Sequence, residues 1–169
     1  ADTASAYLDR SVSGRWDNPH LAGGLSDGAC ADSGGGEGSN DHVWEWESGT
    51  FNIPEIAIID GLEVVIQYAA SSLDLDGELS PDNSTWGTVL NARASGPSRC
   101  SDGTDTVTLG SGSERWGNTW SAANINDGIY IRIDARSGEE GTAYIDSVQL
   151  TIHYRIPQVL TVDKLGSGN

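Results

Sequence analysis

Apolar and polar side chains alternate one by one along several short segments of the chain. Between residues 129 and 136, apolar residues take every second position: Ile129, Ile131, Ile133 and Ala135. Residues 62–68 and 144–154 show the same alternation. A period of two is typical of a β-strand that buries one face and exposes the other. The pattern therefore predicts antiparallel sheets with one buried and one wet face.

Four further segments are shorter candidate strands, at residues 7–12, 43–53, 85–92 and 104–109. The sequence Pro81-Asp82-Asn83-Ser84 has turn composition, so it predicts a hairpin between the segments on either side of it. Residues 121–127 fit a single helical turn with Ser121 as its cap. About seven or eight short strands with one-sided burial predict an all-β fold, an antiparallel two-sheet β-sandwich.

We assign residues 1–156 to this sandwich, because Pro157 follows the last alternating segment. Residues 157–169 form a separate segment that we expect to be a linker or an extra strand. Such a strand would lead to a following domain or to a neighbouring subunit. Its apolar residues Val159, Leu160 and Val162 are then candidates for assembly, since a strand can extend a neighbour's sheet edge.

The balance of charge limits the choice of partners. The 169 residues carry 25 acidic and 9 basic side chains, a formal net charge of −16. Phosphate binding needs clustered lysine and arginine, so this composition argues against nucleic acid and anionic membranes. No apolar run approaches the roughly 18 residues of a membrane span, so we expect no membrane insertion. Calcium ligation, adaptation to high salt and an ordinary solvated surface all remain explanations for the acids.

The two cysteines, Cys30 and Cys100, lie in loops rich in glycine, serine and aspartate. Two cysteines with no others in the chain fit either a disulfide in a secreted protein or two separate buried thiols. Such polar loops are an unusual place for a buried thiol, so we favour a disulfide. Because disulfides persist in oxidising compartments, we expect a secreted, extracellular or cell-surface protein.

One carboxylate, that of Asp146, falls on the core-facing register of its strand. By alternation it points to the same side as Tyr144 and Val148. A buried charge is costly unless a cation or several hydrogen-bond donors compensate it. Either Asp146 takes part in a cation site, or it lies at the strand start, bonded to backbone amides or partly in water.

The aromatic residues are mostly tryptophan (six) and tyrosine (five), with one phenylalanine. Tryptophan and tyrosine rings combine a flat apolar face with a polar edge, which suits contact with sugar rings and protein partners. Trp44 and Trp46 would share one face of a strand, either as a stacking platform for a ligand or as part of the core. Trp86, beside the predicted turn, is the better candidate for an exposed ligand-binding ring.

The segment at residues 74–78 has acidic residues on one face, namely Asp74, Asp76 and Glu78. They could form a cation site or a solvated row of charges along a sheet edge.

An ordered series of short motifs runs from about residue 10 to residue 155. Its members are Trp16-Asp17-Asn18-Pro19, Ser26-Asp27-Gly28, Phe51-Asn52-Ile53-Pro54, Asp60-Gly61-Leu62-Glu63-Val64, Trp116-Gly117-Asn118-Thr119-Trp120, Asn124-Ile125-Asn126 and Ala143-Tyr144-Ile145-Asp146-Ser147-Val148. The series resembles a jelly-roll module of secreted bacterial and archaeal surface proteins. Its last strand is similar to that of carbohydrate-binding, galactose-binding-like jelly rolls.

This resemblance implies a sandwich of jelly-roll type and a non-catalytic extracellular module. It also implies a structural calcium site, because in such jelly rolls an acid at the place of Asp146 joins the loop after the first strand. In this chain the loop offers Asp27, with Asp17 or Asn18 as further ligands. Oxygen-only ligation of this kind suits Ca²⁺.

Three functions follow from these observations. The first is a structural or adhesive extracellular module, including the subunit of a self-assembling surface filament that uses its C-terminal strand. Its partners would be copies of itself or other surface-protein domains. The alternative is a carbohydrate-binding module with a structural Ca²⁺ and a polysaccharide partner. An enzyme such as a glycosidase needs two carboxylates across a cleft, and a sandwich of this length leaves little room for one, so we expect no enzyme.

Overall fold

The computed structural model of the chain describes residues 2–34, 41–136 and 142–158. Ten strands, one short α-helix and two 3₁₀ turns (Pro19–Ala22 and Cys100–Asp102) form in these ranges. In chain order the strands and the α-helix are β1 (Asp2–Tyr7), β2 (Arg10–Gly14), β3 (Ala31–Asp32), β4 (Asp41–Trp46), β5 (Ile58–Ala69), β6 (Leu73–Ser80), β7 (Leu90–Ala94), β8 (Asp105–Gly110), α1 (Ala122–Asp127), β9 (Ile129–Arg136) and β10 (Tyr144–Arg155).

The strands make two antiparallel sheets. Sheet 1 has the order β1-β10-β5-β8, with the short β3 paired to β10, and sheet 2 has the order β2-β4-β9-β6-β7. Without β2 and β3, eight strands remain, four in each sheet, and consecutive strands cross between the sheets except at the β6–β7 hairpin, as in two Greek keys. This is the strand order of a jelly roll. The predicted two-sheet sandwich of jelly-roll type is therefore confirmed.

The core lies between the two sheets and is built by the alternating segments. Ile129, Ile131 and Ile133 of β9 have no exposed surface, and neither do Val148, Leu150 and Ile152 of β10. Their polar neighbours point away from the core. Full burial of one such aliphatic side chain contributes roughly 1.5–3 kcal/mol. The predicted inward registers are confirmed for these residues. Tyr144 is an exception, because β10 shifts register between Ile145 and Ser147 and Ile145 is the fully buried residue at this end of the strand.

Several predicted boundaries differ from the structure. The strand predicted at 85–92 begins only at Leu90, so the hairpin between β6 and β7 has a longer connection, residues 81–89. The reason lies at Asp82, whose carboxylate accepts hydrogen bonds from the backbone N–H groups of Ser84 and Thr85 and from the Thr85 hydroxyl. These bonds hold the backbone in a local turn instead of a sheet ladder.

Two other segments were predicted too long. The candidate strand at 43–53 ends at Trp46, and the one at 7–12 is divided between β1 in sheet 1 and β2 in sheet 2. The predicted helical turn is confirmed as α1. It begins with a capping box, in which the Ser121 hydroxyl accepts from the Asn124 N–H and the Asn124 side chain accepts from the Ser121 N–H.

Candidate functional site

The outward face of sheet 2 carries a groove lined by residues from neighbouring strands. Its volume is about 200 Å³, and the side chains that line it are Asp41, Asp76, Glu78, Val89, Arg132 and Asp134. Strand register explains why residues so distant in sequence meet. Asp134 of β9 lies opposite Asp41 of β4 on one side and Asp76 of β6 on the other. In the next row, Arg132 lies opposite Glu78.

Arg132 links an acidic residue and an aromatic residue at the groove. Its Nε and Nη2 atoms donate to Glu78 Oε1 at 2.9 and 2.7 Å. Its Cζ atom lies 4.3 Å from the centroid of the Trp86 ring. A guanidinium over an indole contributes about 0.5–2 kcal/mol, the larger value when the pair is desolvated. The half-buried Trp86 is therefore positioned beside the groove by a cation that Glu78 holds in place.

The backbone around Trp86 is fixed on both sides. Before it, three donated hydrogen bonds from Ser84 and Thr85 hold the pKa of the Asp82 carboxyl well below its usual range. After it, the N–H of Thr88 donates to the carbonyl of the buried Trp116 at 2.7 Å. Gly87 packs so closely that a Cβ there would lie 1.9 Å from that same carbonyl oxygen. The connection therefore presents Trp86 in a defined position.

The row beside Arg132 and Glu78 contains a buried, paired carboxylate. Glu45, only 4% exposed, accepts a hydrogen bond from Arg10 Nε and lies opposite Tyr130 of β9. Burial, and then the hydrogen bond to Glu45, raises the pKa of Tyr130. The Tyr130 hydroxyl therefore stays protonated, and Arg10, Glu45 and Tyr130 interact with one another next to the groove.

The groove offers the chemistry that recognises hydroxyl-rich ligands. Its carboxylates accept hydrogen bonds from hydroxyl groups, its guanidinium donates them, and the indole presents an apolar surface with a polar edge. Five of the six lining side chains are charged, so the groove would contact a ligand mainly through hydrogen bonds, with the Trp86 ring beside Arg132 as the aromatic surface.

Three residues that the sequence analysis singled out lie at or beside the groove. Asp76 and Glu78 line it, and the Trp86 ring packs on Arg132, which also lines it. The sequence analysis missed Asp41, Arg132 and Asp134 as site residues. The available signal was the mixed charge on the polar face of residues 129–136, but only the strand order shows which strands flank that face.

Asp146 lies on β10 and is 1% exposed. Its Oδ2 atom accepts hydrogen bonds from the Ser26 hydroxyl at 2.7 Å and from the Gly28 N–H at 3.1 Å. Its Oδ1 atom accepts one from the Asp27 N–H at 3.1 Å. The loop at residues 26–28 thus wraps around the carboxylate, and these three donors compensate the burial of a polar group.

The calcium ligands predicted around this loop do not converge as a cluster. The Asp27 side chain accepts from the Ala29 N–H, Asp17 and Asn18 are exposed, and the backbone of Asp17 pairs with Asp32. Among the described residues, no three His, Cys, Asp or Glu side chains are placed to hold a metal ion. Ca²⁺ takes six to eight oxygen ligands, whereas the groups that point at Asp146 are hydrogen-bond donors. The contacts fit a hydrogen-bonded carboxylate, and the calcium site stays a prediction.

The predicted disulfide between Cys30 and Cys100 is confirmed. The two Cα atoms lie 6.4 Å apart and the cysteines are 70 positions apart in sequence. Cys30 follows the loop that wraps Asp146, and Cys100 begins a short 3₁₀ turn. The bond therefore ties that loop to the segment between β7 and β8.

Trp44 and Trp46 do not form a ligand platform. Both rings have no exposed surface. Their indole nitrogens donate to the carbonyl oxygens of Pro19 at 2.8 Å and of Ala6 at 3.1 Å. Trp44 also packs edge-to-face on Trp16, with ring centroids 5.3 Å apart. Because β4 points these positions toward the opposite sheet, the two tryptophans are core residues, and the ligand-binding interpretation is corrected.

The predicted assembly residues Val159, Leu160 and Val162 lie outside the described residues. Within the described ranges, the helices are all too short or too polar to span a bilayer.

Comparisons with known proteins give structural matches only. No family model matches the chain, and no curated protein does. Carbohydrate-binding modules are among the solved structures that it resembles, as the sequence motifs predicted. A family 11 carbohydrate-binding module from Clostridium thermocellum, in complex with a β-1,3-1,4-mixed-linked tetrasaccharide, is 11% identical, with a TM-score of 0.42; the match covers 88% of this chain and 87% of that one.

Two further matches differ in how much of the matched chain they cover. The xylan-binding module CBM15 is 14% identical, with a TM-score of 0.39, and the match covers 89% of this chain and 97% of that one. The structure of PfGH50B is 16% identical, with a TM-score of 0.45 and 91% of this chain covered. This chain spans only 23% of the length of that protein. All three TM-scores lie below 0.5, so the jelly-roll assignment stands on this chain's own strand order.

Proposed function

We propose that this chain is a non-catalytic glycan-binding module, and that the groove on the outward face of sheet 2 is its ligand site. The observation that carries the proposal is the convergence of Trp86, Arg132 and Glu78 at the edge of a concave, polar surface. The groove is formed by side chains of β4, β6, β9 and the connection before β7.

A glycan has two kinds of surface, and the groove has a counterpart for each. Sugar hydroxyls donate and accept hydrogen bonds, which suits the carboxylates and the guanidinium. The C–H face of a sugar ring is apolar, which suits an indole ring. The Glu78–Arg132–Trp86 arrangement holds its groups before a ligand arrives, and preorganisation of this kind reduces the entropy cost of binding.

Between the two functions that the sequence favoured, glycan binding has its residues in the described structure. The filament function depends on Val159, Leu160 and Val162, which lie outside it. A disulfide persists in oxidising compartments, which supports an extracellular location for the module. Glycan binding is also compatible with adhesion, since a surface module that binds polysaccharide attaches its host chain to it.

The test is affinity gel electrophoresis of the purified chain across a panel of soluble polysaccharides, followed by calorimetric titration with each polysaccharide that retards it. Replacing Trp86 by alanine is expected to weaken binding at least about tenfold, the size of an aromatic hot spot. The matched control is Tyr7→Ala, because Tyr7 is a half-buried aromatic residue on an outer strand of the other sheet. Far-ultraviolet circular dichroism checks that both variants fold.

Three results would overturn the proposal. The first is a chain that no polysaccharide in the panel retards. The second is binding that Tyr7→Ala weakens as much as Trp86→Ala does. The third is release of reducing sugar from a retarded polysaccharide, because the carboxylates of the groove would then be catalytic.

A further inference from the structure

The connection between β6 and β7 contains the sequence Asn83-Ser84-Thr85. An asparagine followed two positions later by serine or threonine is the acceptor sequence for N-linked glycosylation. Every other asparagine of the chain lacks a serine or threonine at that spacing. Because such tripeptides are common in proteins, the place of this one in the fold has to support the assignment.

The structure presents the Asn83 side chain at the surface. All three residues of the tripeptide are exposed. Asn83 has a φ of 61°, in the left-handed region that asparagine adopts more readily than most residues. Asp82 holds this turn, since its Oδ1 atom accepts from the N–H groups of Ser84 at 2.9 Å and of Thr85 at 2.6 Å. Among the described residues, none hydrogen-bonds the Asn83 carboxamide, so the turn does not need it.

Asn83 also lies near the proposed ligand groove. Trp86 comes three residues later, and three residues of chain span at most about 11 Å. The Trp86 ring packs on Arg132, which lines the groove, and Val89 of the same connection lines it while 49% exposed. A flexible oligosaccharide of several sugar rings, attached at Asn83, would reach across this distance.

We propose that Asn83 is an N-glycosylation site and that its glycan partly covers the groove; the second part rests on the proposed function. The donor is an oligosaccharide linked through phosphate to a polyisoprenoid lipid. The bond from C1 of its first sugar to the phosphate oxygen breaks, and the electron pair leaves with the lipid phosphate. C1 then bonds to Asn83 Nδ2, which loses one proton. The Cys30–Cys100 disulfide supports this proposal, because disulfides and N-linked glycans are both typical of secreted chains.

The first test is secretion of the full chain, behind a signal peptide, from a eukaryotic host that adds high-mannose N-glycans. Its intact mass is expected to include a glycan that peptide N-glycosidase F removes, and removal in heavy-oxygen water should leave the label at position 83. Asn83→Asp is expected to lose the glycan completely, because it removes the acceptor nitrogen while aspartate tolerates the same left-handed backbone. The matched control is Asn52→Asp, which adds the same charge at an exposed asparagine outside the tripeptide and should keep the glycan.

A pair of variants at Thr85 tests the dependence on its hydroxyl. That hydroxyl donates to Asp82 Oδ2 at 2.9 Å. Thr85→Ser keeps the hydroxyl and is expected to keep the glycan, whereas Thr85→Val removes it and is expected to lose the glycan.

The second test measures what the glycan does to the groove. Endoglycosidase H trims a high-mannose glycan to a single sugar without changing Asn83. Calorimetric titration compares the trimmed and untrimmed chains with the polysaccharide that binds best in the panel. Trimming is expected to strengthen binding about threefold, the factor for a glycan that covers the groove about two-thirds of the time.

The outcomes are distinguishable. An unmodified Asn83 in the secreted chain, or a glycan that persists in Asn83→Asp, overturns the modification site and everything built on it. If Asn83 is glycosylated but trimming leaves the affinity unchanged, the glycan does not cover the groove and only that part is overturned. If neither form binds any polysaccharide, the proposed function fails and the covering of its site fails with it, while the mass and the label still support the modification site.

Discussion

Replacing Asp146 by asparagine is expected to destabilise the fold by about 3 kcal/mol. The carboxylate accepts three hydrogen bonds, two at Oδ2 and one at Oδ1. An asparagine oxygen in the place of Oδ2 keeps the bonds from Ser26 and Gly28, but its NH₂ group then faces the N–H of Asp27. One donor left without an acceptor costs about 1–3 kcal/mol, and the two remaining bonds lose the extra strength of a charged acceptor.

The assay is equilibrium unfolding in urea, followed by tryptophan fluorescence. The matched control is Ser26→Ala, which removes one donor and leaves Oδ2 with the Gly28 N–H. This control is expected to cost about 1 kcal/mol, because no buried group of the partner is left unmet. Since small domains are stable by about 5–15 kcal/mol, both variants should still fold. Equal stability of Asp146→Asn and the unchanged chain would refute the reasoning.

The same variant tests the calcium prediction. If the three donors alone satisfy Asp146, unfolding midpoints measured with Ca²⁺ and with a chelator are expected to agree. A ligand that binds only the folded state stabilises it by an amount that grows with the logarithm of its concentration. Stabilisation of the unchanged chain by Ca²⁺, absent from Asp146→Asn, would place an ion at this loop and contradict the hydrogen-bonded account.

Two further predictions concern stability. Replacing both Cys30 and Cys100 by serine is expected to lower the free energy of unfolding by about 4 kcal/mol, because the disulfide closes a loop of 70 residues in the unfolded chain. Urea unfolding measures this loss, and a value below about 1 kcal/mol would contradict the prediction. Burial lowers the pKa of His42, whose Nδ1 accepts from the Trp16 N–H and whose Nε2 bonds the Ser11 hydroxyl at 2.6 Å. Because the unfolded state then binds the proton more readily, stability is expected to be complete above about pH 6.5 and to fall as the pH drops toward the lowered pKa. Urea midpoints between pH 5.0 and 7.5 should show this step in the unchanged chain and lack it in His42→Gln; the same slope in both would assign it to other groups.

The fold was predictable where burial alternates strictly. Ile129, Ile131 and Ile133 reveal both the strand and its inward face, because a polar residue on that face would enter the core. The predictions failed where a side chain overrides the local pattern. Asp82 captures the backbone donors of the next residues, so the sequence at 85–89 has strand composition without pairing in a sheet. The tryptophan pair on β4 shows a different limit, since alternation gives a shared face but not which face is buried.

The candidate site was less predictable because it is a property of strand order. Asp41 and Asp134 are far apart in sequence, and taken alone each is an ordinary acidic residue on the solvent-facing side of a strand. The jelly-roll crossing places β9 between β4 and β6, so the polar face of one strand is flanked by the acidic faces of two others. Arg132 then has an acidic partner within reach and an indole above it, neither of which its own strand supplies. A change of ligand preference in this module should therefore arise most readily at the outward positions of β4, β6 and β9, where a substitution alters the groove while the inward residues keep the core.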